Sequence, residues 1–366
     1  MRILIVPDKF KGSLGAEEVG ERIAAGLRAA LPQAQIQIIG LADGGEGTAE
    51  TINRACGGHW VTCAAHDALG RVIGARYAWL SASETAVMEM SEAAGIRRLA
   101  PNELSPLVAS TFGVGEMFLD AATRGAKEVI IGLGGSATND GGLGLARTLG
   151  FRFLGKDRRE LDNSVADLLE LSRIERPQRI SWPRITAACD VANPLLGERG
   201  ATCIFAPQKG ATSEQVEILE RALKRLADVV ALSFGCDYRN APGAGAAGGL
   251  GFGLLSFCEA EVRSGFDVVA EMIDLPEQIE RADVVITGEG KLDRQTLEGK
   301  APAGVARMAR KFRKPVFAIV GQATDDLEVR QIFDGVQTLN NEPGDFGNTG
   351  ELLEVRAREL ALRLCR

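Results

Sequence analysis

The pattern that most constrains the fold is an apolar run that passes into a glycine-rich polar loop and then into a helix-like repeat. It is clearest at residues 129–149, where three apolar residues precede the loop Gly132-Leu-Gly-Gly-Ser-Ala-Thr-Asn-Asp-Gly-Gly142. After the loop, apolar residues recur at helical spacing, which is typical of a buried strand that opens into a loop and a helix. Glycines let the backbone approach a ligand, and free N–H groups at a helix start favour an anion. A plain glycine-rich turn before a helix is the alternative interpretation.

Several other apolar runs end in clusters of the same kind. These clusters combine glycine with acids, lysines or small polar residues, at 8–13, 42–48, 189–194, 207–210, 243–249 and 287–293. Ligands of α/β sheets bind outside the carboxyl ends of the strands, so the chain is predicted to be an enzyme that handles phosphate. Within the 132–142 loop, Ser136, Thr138 and Asn139 are candidate donors to phosphate oxygens. Asp140 is a candidate to hold a metal ion or a hydroxyl.

The length of 366 residues exceeds what one hydrophobic core usually supports, so two domains are expected. An alternating strand–helix pattern at both ends of the chain flanks an antiparallel pattern at 59–90 and a charged span at 156–184. We predict an α/β fold in which a doubly wound parallel-sheet domain carries a second, mixed-sheet α/β domain inserted into it. The predicted boundaries are 1–58, 107–150 and 262–366 for the first domain, and 59–106 and 151–261 for the inserted one. The cleft between them is the expected small-molecule site.

Charge and motif content exclude several classes of function. The net charge of −7 and the absence of a long Lys/Arg run give no footprint for nucleic acid. No apolar stretch has the length of a membrane span, and the N-terminus is predicted to be a buried strand instead of a signal peptide. The scattered cysteines, without a CxxC pair, favour reduced thiols and a cytoplasmic location. GxxxxGK[ST] is missing, and no GxGxxG follows the first strand, so neither a Walker-type nor a Rossmann nucleotide site is expected.

Taken in chain order, these glycine-rich and polar clusters resemble those of bacterial-type glycerate kinases, which phosphorylate D-glycerate with ATP. The likeness is carried by residues 7–13, 42–48, 132–142, 189–194, 205–211, 243–249 and 287–293. The resemblance implies a flavodoxin-like first domain, D-glycerate and ATP as small-molecule substrates, and Mg²⁺ as cofactor. It implies 2-phosphoglycerate as product, with 3-phosphoglycerate as the alternative. Lys9 and Thr296 depart from the family, in which serine is usual at these positions. A homodimer and a monomer both remain open.

The resemblance also assigns three catalytic candidates. Asp190 follows an apolar strand and would be the base that accepts the hydroxyl proton, while Lys11 would face the transferring phosphate or the glycerate carboxylate. Asp43 would orient glycerate or a metal ion. Each has a structural alternative: a turn cap for Asp190, a solvated lysine for Lys11, and an N-cap for Asp43 with Glu46 as its partner.

A larger set of residues is predicted to bind substrate or phosphate because it lies in the family blocks. The set is Asp8, Ser13, Gly44, Gly45, Glu46, Gly134, Gly135, Ser136, Asn139, Asp140, Lys209, Gly243, Gly245 and Asp293. Asp8 is also the candidate magnesium ligand, and residues 243–249 are a candidate hinge or lid. Two other functions compete with the kinase. One is a regulator that binds a sugar acid without turnover, and the other is a hydrolase with paired carboxylates.

Overall fold

The computed structural model describes residues 1–10, 12–42, 44–162, 164–178, 182–297, 301–339 and 348–365. The strands are β1 (Arg2–Pro7), β2 (Gln35–Ile38), β3 (His59–His66), β4 (Val72–Leu80), β5 (Thr85–Glu89), β6 (Glu128–Gly132), β7 (Arg152–Leu154), β8 (Arg173–Glu175), β9 (Arg184–Ala188), β10 (Glu261–Arg263), β11 (Val284–Gly288), β12 (Lys291–Leu292), β13 (Val316–Val320), β14 (Gln322–Ala323) and β15 (Gly335–Thr338).

Helices alternate with these strands over most of the chain. The α-helices are α1 (Ala16–Ala30), α2 (Thr48–Ala55), α3 (Ser91–Ala94), α4 (Phe112–Thr123), α5 (Leu143–Thr148), α6 (Ala201–Phe205), α7 (Ser213–Phe234), α8 (Ala246–Cys258), α9 (Gly265–Met272), α10 (Leu275–Arg281), α11 (Arg294–Leu297), α12 (Ala301–Lys311), α13 (Leu327–Gln331) and α14 (Thr349–Leu364). Short 3₁₀ helices cover Ile96–Arg98, Pro101–Glu103, Val165–Glu170 and Pro207–Lys209. None of the described helices is both long enough and apolar enough to cross a bilayer.

The chain divides into two compact units. Unit 1 comprises Met1–Asp43 and Phe266–Arg366, and unit 2 comprises Gly44–Gly265. The predicted insertion of one α/β domain into another is therefore present, but its boundaries differ from the predicted ones. Residues 44–58 and 107–150 belong to unit 2, because β6 pairs with β5 and β9 and α2 packs against β4 and β5. The alternating strand–helix pattern does not distinguish two parallel sheets, since both present the same local pattern.

Unit 1 is a parallel sheet covered by helices. Its strand order is β2-β1-β11-β13-β15, with every neighbouring pair parallel. Counted within the unit, this order is 2-1-3-4-5, the flavodoxin-like arrangement. Ile3, Ile5 and Ile286 of the central strands pack with Ile23 of α1 and Leu353 of α14 in one apolar core. The predicted doubly wound parallel domain is confirmed.

Unit 2 is built on a mixed sheet in the order β10-β9-β6-β5-β4-β3. The strands β5, β6, β9 and β10 are parallel, whereas β4 is antiparallel to both β3 and β5. The antiparallel pattern predicted at 59–90 is therefore confirmed, with β5 also extending the parallel part. The register places Glu89, Gly132 and Ala188 side by side at the carboxyl ends of their strands.

Helix α7 is strongly amphipathic. Its first turn is held by a capping box, in which the Thr212 hydroxyl accepts a hydrogen bond from the backbone N–H of Gln215. The apolar face, including Leu219, Leu223 and Leu226, is fully buried in the core of unit 2. The helix packs against the 3₁₀ helix Val165–Glu170, against β8 and against α6.

Candidate active site

In unit 1, the strand order reverses between the neighbouring strands β1 and β11. The backbone N–H of Asp8 donates to the carbonyl oxygen of Gly288 over 2.8 Å, so the two strand ends stay together as they leave the sheet. Asp8 is 8% exposed, and Glu289, which follows Gly288, is 5% exposed. Ligands of doubly wound sheets bind at such a reversal point. Unit 1 therefore carries two carboxylates at the place where its fold predicts a ligand.

Asp293 lies in the loop that follows β11, and this loop is closed by a threonine. The Thr296 hydroxyl donates to Oε1 of Glu289 over 2.7 Å and accepts from the backbone N–H of Asp293 over 3.2 Å. The Asp293 carboxylate lies 3.4 Å from Nζ of Lys291. Asp293, predicted to bind substrate or phosphate, thus belongs to the carboxyl edge of unit 1, and that contact stays a prediction.

Ser13 lies in the turn after β1, where its backbone N–H donates to the carbonyl of Phe10 over 2.9 Å. Its side chain is half-buried. Two of the three predicted catalytic residues, Lys11 and Asp43, lie outside the described residues. Their predicted roles stay predictions.

In unit 2, a short segment rich in glycine, residues 44–47, crosses the carboxyl edge of the sheet in direct contact with its backbone; we call it the glycine strap. A Cβ atom on Gly132 would lie 2.6 Å from the carbonyl oxygen of Gly44, and one on Gly134 would lie 2.5 Å from Cα of Gly45. Gly44 has a φ of 82°, and a Cβ there would lie 2.9 Å from the Ala188 oxygen and 2.9 Å from Cα of Gly265. The glycines of two separate motifs are therefore required because their backbones touch.

Glu46 projects from the glycine strap beside the tip of the 132–142 loop. Its Oε2 lies 2.5 Å from an Arg97 guanidinium nitrogen, and a Cβ on Gly135 would lie 2.9 Å from its Oε1. Helix α2 begins at Thr48 with Gly47 as N-cap and has no side-chain cap. Glu46 therefore precedes the helix, and the capping-box alternative for Glu46 is wrong.

The strap is anchored by an acid that the sequence reasoning missed. Glu89, the last residue of β5, is 9% exposed, and its Oε1 accepts hydrogen bonds from the backbone N–H groups of Gly47 and Ala49, at 3.0 Å each. Burial raises the pKa of the Glu89 carboxyl, although these two hydrogen bonds act in the opposite direction. One feature of the sequence could have identified Glu89. It is a single acid within the apolar strand pattern at 86–90, where a solvent-exposed side chain is not expected.

Asp190 lies two residues beyond the end of β9. The Ser264 hydroxyl donates to its Oδ1 over 2.9 Å, and the backbone N–H of Cys189 donates to the carbonyl of Arg263 over 2.9 Å. The carboxylate is therefore held at the paired ends of β9 and β10, next to Ala188, against which the glycine strap packs. A half-buried carboxylate held in one orientation at the carboxyl edge of a parallel sheet is suited to accept a proton.

Ser136 lies at the partly exposed tip of the 132–142 loop, together with Gly134 and Gly135. It is held by Lys209, which is 1% exposed and whose Nζ donates to Oγ of Ser136 and to the carbonyl oxygen of Thr138, at 2.7 Å each. Burial lowers the pKa of Lys209 to about 7, while the charge of Asp140 acts in the opposite direction. Lys209 thus contacts atoms of the loop itself, and its contact with substrate or phosphate stays a prediction.

Both carboxylate oxygens of Asp140 accept hydrogen bonds from groups of unit 2. Its Oδ2 accepts hydrogen bonds from the backbone N–H and the hydroxyl of Thr111, at 2.8 Å each, and from the N–H of Gly144 at 3.1 Å. Its Oδ1 accepts from the N–H of Gly142 at 3.1 Å. Burial raises the pKa of Asp140, and these hydrogen bonds oppose that effect. Asp140 therefore ties the 132–142 loop to Thr111 and Gly144, and its contact with a metal ion or a hydroxyl stays a prediction.

Asn139 is also internal. It is fully buried, and its Nδ2 donates to the hydroxyl of Thr202 over 3.1 Å. The side chain therefore ties the loop to α6, and a phosphate outside unit 2 does not reach it in this conformation. The sequence could not separate Asn139 from Ser136, because both are polar residues of one glycine-rich loop.

The segment 243–249, predicted to be a hinge or lid, is a buried packing element. A Cβ on Gly245 would lie 2.2 Å from the carbonyl oxygen of Pro194, and one on Gly248 would lie 1.9 Å from that of Thr138. The backbone of residues 247–249 adopts positive φ values inside α8. A Cβ on Gly243 would lie 2.8 Å from Cγ1 of Val262, so Gly243 and Gly245 both pack closely within unit 2, and their contact with substrate stays a prediction.

Unit 1 is flavodoxin-like and carries acids at its reversal point, and the sheet edge of unit 2 is lined by glycine and small polar groups. Together these features indicate an α/β enzyme that handles a small phosphate-bearing ligand. The comparisons agree with this class. Residues 3–364 match the glycerate kinase family. The chain is 37% identical to the glycerate kinase of Bacillus subtilis (strain 168), over 99% of this chain and 97% of that protein. It is 40% identical to the glycerate 2-kinase of Escherichia coli (strain K12), over 90% and 87%.

A solved structure shares the fold over the full length. The crystal structure assigned as glycerate kinase 2 from Salmonella typhimurium LT2 matches with a TM-score of 0.87 at 38% identity, covering 100% of this chain and 98% of that one. The chain therefore belongs to the glycerate kinase family.

Proposed function

We propose that the protein transfers the γ-phosphate of ATP to the C2 hydroxyl of D-glycerate, giving ADP and 2-phosphoglycerate. Membership of the glycerate kinase family supports the reaction, and the name of the Escherichia coli relative, glycerate 2-kinase, supports the C2 position. The observation that carries the proposal is the Asp190 carboxylate, held by Ser264 at the strand ends beside the glycine strap. Such a carboxylate supplies the base that a hydroxyl acceptor needs.

In the proposed reaction, Asp190 accepts the proton of the glycerate hydroxyl as its oxygen attacks the γ-phosphorus. The bond between the γ-phosphorus and the bridging oxygen breaks, and ADP leaves with the electron pair. Phosphoryl transfer depends mainly on positioning and on stabilising charge at the phosphate oxygens. The Ser136 hydroxyl and the backbone at Gly134 and Gly135 are the groups of unit 2 proposed to donate to those oxygens. Lys11 and Asp43 keep their proposed roles as the cation and the glycerate-orienting acid.

Magnesium is proposed to arrive with the nucleotide. Mg²⁺ is usually held by one or two carboxylates together with substrate phosphates, and not by an all-protein cage. The acids at the reversal point of unit 1 fit that requirement, because Asp8 and Glu289 follow two strand ends that are joined by a backbone hydrogen bond. Within the described residues, no group of three or more His, Cys, Asp or Glu side chains could hold a metal by itself. Asp8 is the proposed protein ligand, and the ion would supply positive charge at the phosphates.

The proposal is tested by a coupled assay for ADP release with purified protein. D-glycerate, ATP and Mg²⁺ should together give ADP, and omitting glycerate or adding excess EDTA should abolish release. L-glycerate is the matched control for stereochemistry. A protein that binds D-glycerate by calorimetry but releases no ADP under any of these conditions would be the regulator, and the kinase proposal would fail.

A further inference from the structure

Lys209 is a buried cation that the proposed reaction does not use. It ends the 3₁₀ helix Pro207–Lys209, its side chain is 1% exposed, and the next residue, Gly210, has a φ of 92° that turns the chain away. Lysine is rarely buried unless its ammonium group has specific partners. The partners here are two oxygen atoms of one loop, so the lysine has a defined task at that loop.

Both partners belong to the glycine-rich loop that presents Ser136. The Nζ group donates to Oγ of Ser136 and to the carbonyl oxygen of Thr138, at 2.7 Å each. On its other side the Thr138 carbonyl packs against Gly248, where a Cβ would lie only 1.9 Å from that oxygen. The backbone N–H of Gly141 donates to the carbonyl of Gly248 over 3.0 Å. The loop is thus fixed by packing against Gly248 and by backbone hydrogen bonds of Gly135 and Ala137 to residues 94–96, while the ammonium group holds the Ser136 hydroxyl itself.

The direction of the hydrogen bond to Ser136 has a chemical consequence. A hydroxyl that accepts from an ammonium group keeps its own proton available for a different acceptor. Because Ser136 lies at the partly exposed tip of the loop, that acceptor lies outside the loop's own framework. In its protonated form Lys209 also polarises the hydroxyl that it reaches, which makes the hydroxyl a better donor to an anion.

We propose that Lys209 is a positioning residue that holds the Ser136 hydroxyl as a donor to the phosphate chain of the nucleotide. Lys209 acts through Ser136 and Thr138 and does not itself contact the ligand. Asp140 is the charged group that acts on Lys209, and its own oxygens are committed to backbone and threonine donors. The identity of the ligand as a nucleotide rests on the proposed function, whereas the effect on the loop does not.

The test is a double-mutant cycle with Lys209→Met, Ser136→Ala and the combination. Methionine keeps the length of the side chain and removes its donors. Each single variant should raise KM for ATP about tenfold, which is the effect of losing one charge-assisted hydrogen bond. The KM for ATP of the double variant should be no higher than that of the more impaired single variant. KM for D-glycerate should change less than twofold. Lys224→Met, at an exposed lysine of α7, is the control and should match the wild type.

Two outcomes would overturn the proposal. One is a double variant whose loss is the product of the two single losses, which would mean that Lys209 does not act through Ser136. The other is an unchanged KM for ATP in Ser136→Ala, a variant that leaves Lys209 in place and serves as the test should Lys209→Met not fold.

Amide hydrogen exchange, measured on the protein without substrate, tests the positioning role of Lys209 independently of the proposed kinase reaction. Amides 133–138 should exchange faster in Lys209→Met than in Lys224→Met, with the rest of unit 2 unchanged. Unchanged exchange at 133–138 would contradict the positioning role even if the kinase assay succeeded. Faster exchange in a protein without kinase activity would contradict only the proposed reaction.

Discussion

The hydroxyl of Ser264 donates to Oδ1 of Asp190 over 2.9 Å and thereby joins the ends of two neighbouring parallel strands, β9 and β10. This contact sets the orientation of the one described residue among the three catalytic candidates. It connects a carboxylate that the sequence could identify with a serine 74 positions later that it could not. The account of catalysis depends on this pair.

Replacing Asp190 with asparagine should abolish most turnover while leaving binding intact. Asparagine is isosteric but cannot accept the hydroxyl proton, so kcat should fall by about 10²–10⁴-fold, the usual contribution of a general base. KM for both substrates should stay within about threefold, since the loss lies in the transition state. Steady-state kinetics measures both parameters. A kcat within twofold of the wild type would remove Asp190 from the role of base.

Ser264→Ala should lower kcat less than Asp190→Asn does, because it removes only the hydrogen bond that orients the carboxylate. It should lower kcat by about three- to tenfold, the value of one hydrogen bond, and should have no further effect in the Asp190→Asn background. Ser233→Ala, at an exposed serine of α7, is the matched control. Equal losses from Ser264→Ala in both backgrounds would show that the serine does not act through Asp190.

Adding a methyl group at Gly134 should disturb the carboxyl edge of unit 2. The new Cβ would lie 2.5 Å from Cα of Gly45, and backbone atoms of the glycine strap cannot move aside as a flexible side chain could. Gly134→Ala should therefore lower stability by about 1–3 kcal/mol and reduce kcat/KM more than tenfold. Gly74→Ala is the control, because its Cβ would meet only a methyl group at 3.4 Å. Urea unfolding and kinetics measure the two effects. Equal behaviour of the two variants would contradict the close backbone contact.

Glu89 should prove important for stability although it lies at the site edge. Glu89→Ala leaves the backbone N–H groups of Gly47 and Ala49 without their acceptor, which should cost about 1–3 kcal/mol in the free energy of unfolding. Glu89→Gln keeps an acceptor oxygen and should lose less than half as much. Glu50→Ala, at an exposed position of α2, should change stability by less than about 0.5 kcal/mol. Equal losses in Glu89→Ala and Glu89→Gln would show that the hydrogen bonds to the strap are not the cause.

Stability above neutral pH should report on Lys209. Burial lowers its pKa from 10.5 to about 7 in the folded protein, so between these values the unfolded chain binds more protons than the folded one. The free energy of unfolding should therefore rise with pH over this interval, by on the order of 1 kcal/mol per pH unit. Below pH 7 both states carry the proton, and this contribution to the free energy of unfolding no longer changes with pH.

Urea unfolding of the wild type and of Lys209→Met at pH 7 and pH 9 isolates this contribution, because other titrating groups are common to both proteins. The wild type should gain stability relative to the variant at the higher pH. A constant difference between the two proteins would mean that Lys209 keeps its ordinary pKa inside the fold.

The sequence predicted the architecture well where local pattern determines it. The strand before the 132–142 loop was identified because an apolar run acts over only a few positions. The domain boundaries were less accurate, since the assignment of β6 depends on its pairing with β5 and β9, which are 39 or more positions away. Sheet membership is a long-range property that a strand–helix pattern does not encode.

The site was predicted at the level of loops and less well at the level of side chains. Ser136, Asn139 and Asp140 share one loop, but only Ser136 lies at its exposed tip, because Thr111 and Thr202 hold the other two inside unit 2. Glu89 was missed because an acid in an apolar strand pattern does not show which groups it will bond. Its acceptor role becomes visible only once the glycine strap is placed across the sheet edge.

³¹P NMR of the product formed from D-glycerate, ATP and Mg²⁺ shows directly whether the phosphoryl group reaches the C2 oxygen. The account predicts that the γ-phosphate signal of ATP is replaced by a doublet, in which the phosphorus couples to the single proton on C2. That signal should be absent with the Asp190→Asn variant over the same period. A triplet from phosphate on the C3 methylene would overturn the assignment of C2. Release of inorganic phosphate alone would contradict transfer to glycerate altogether.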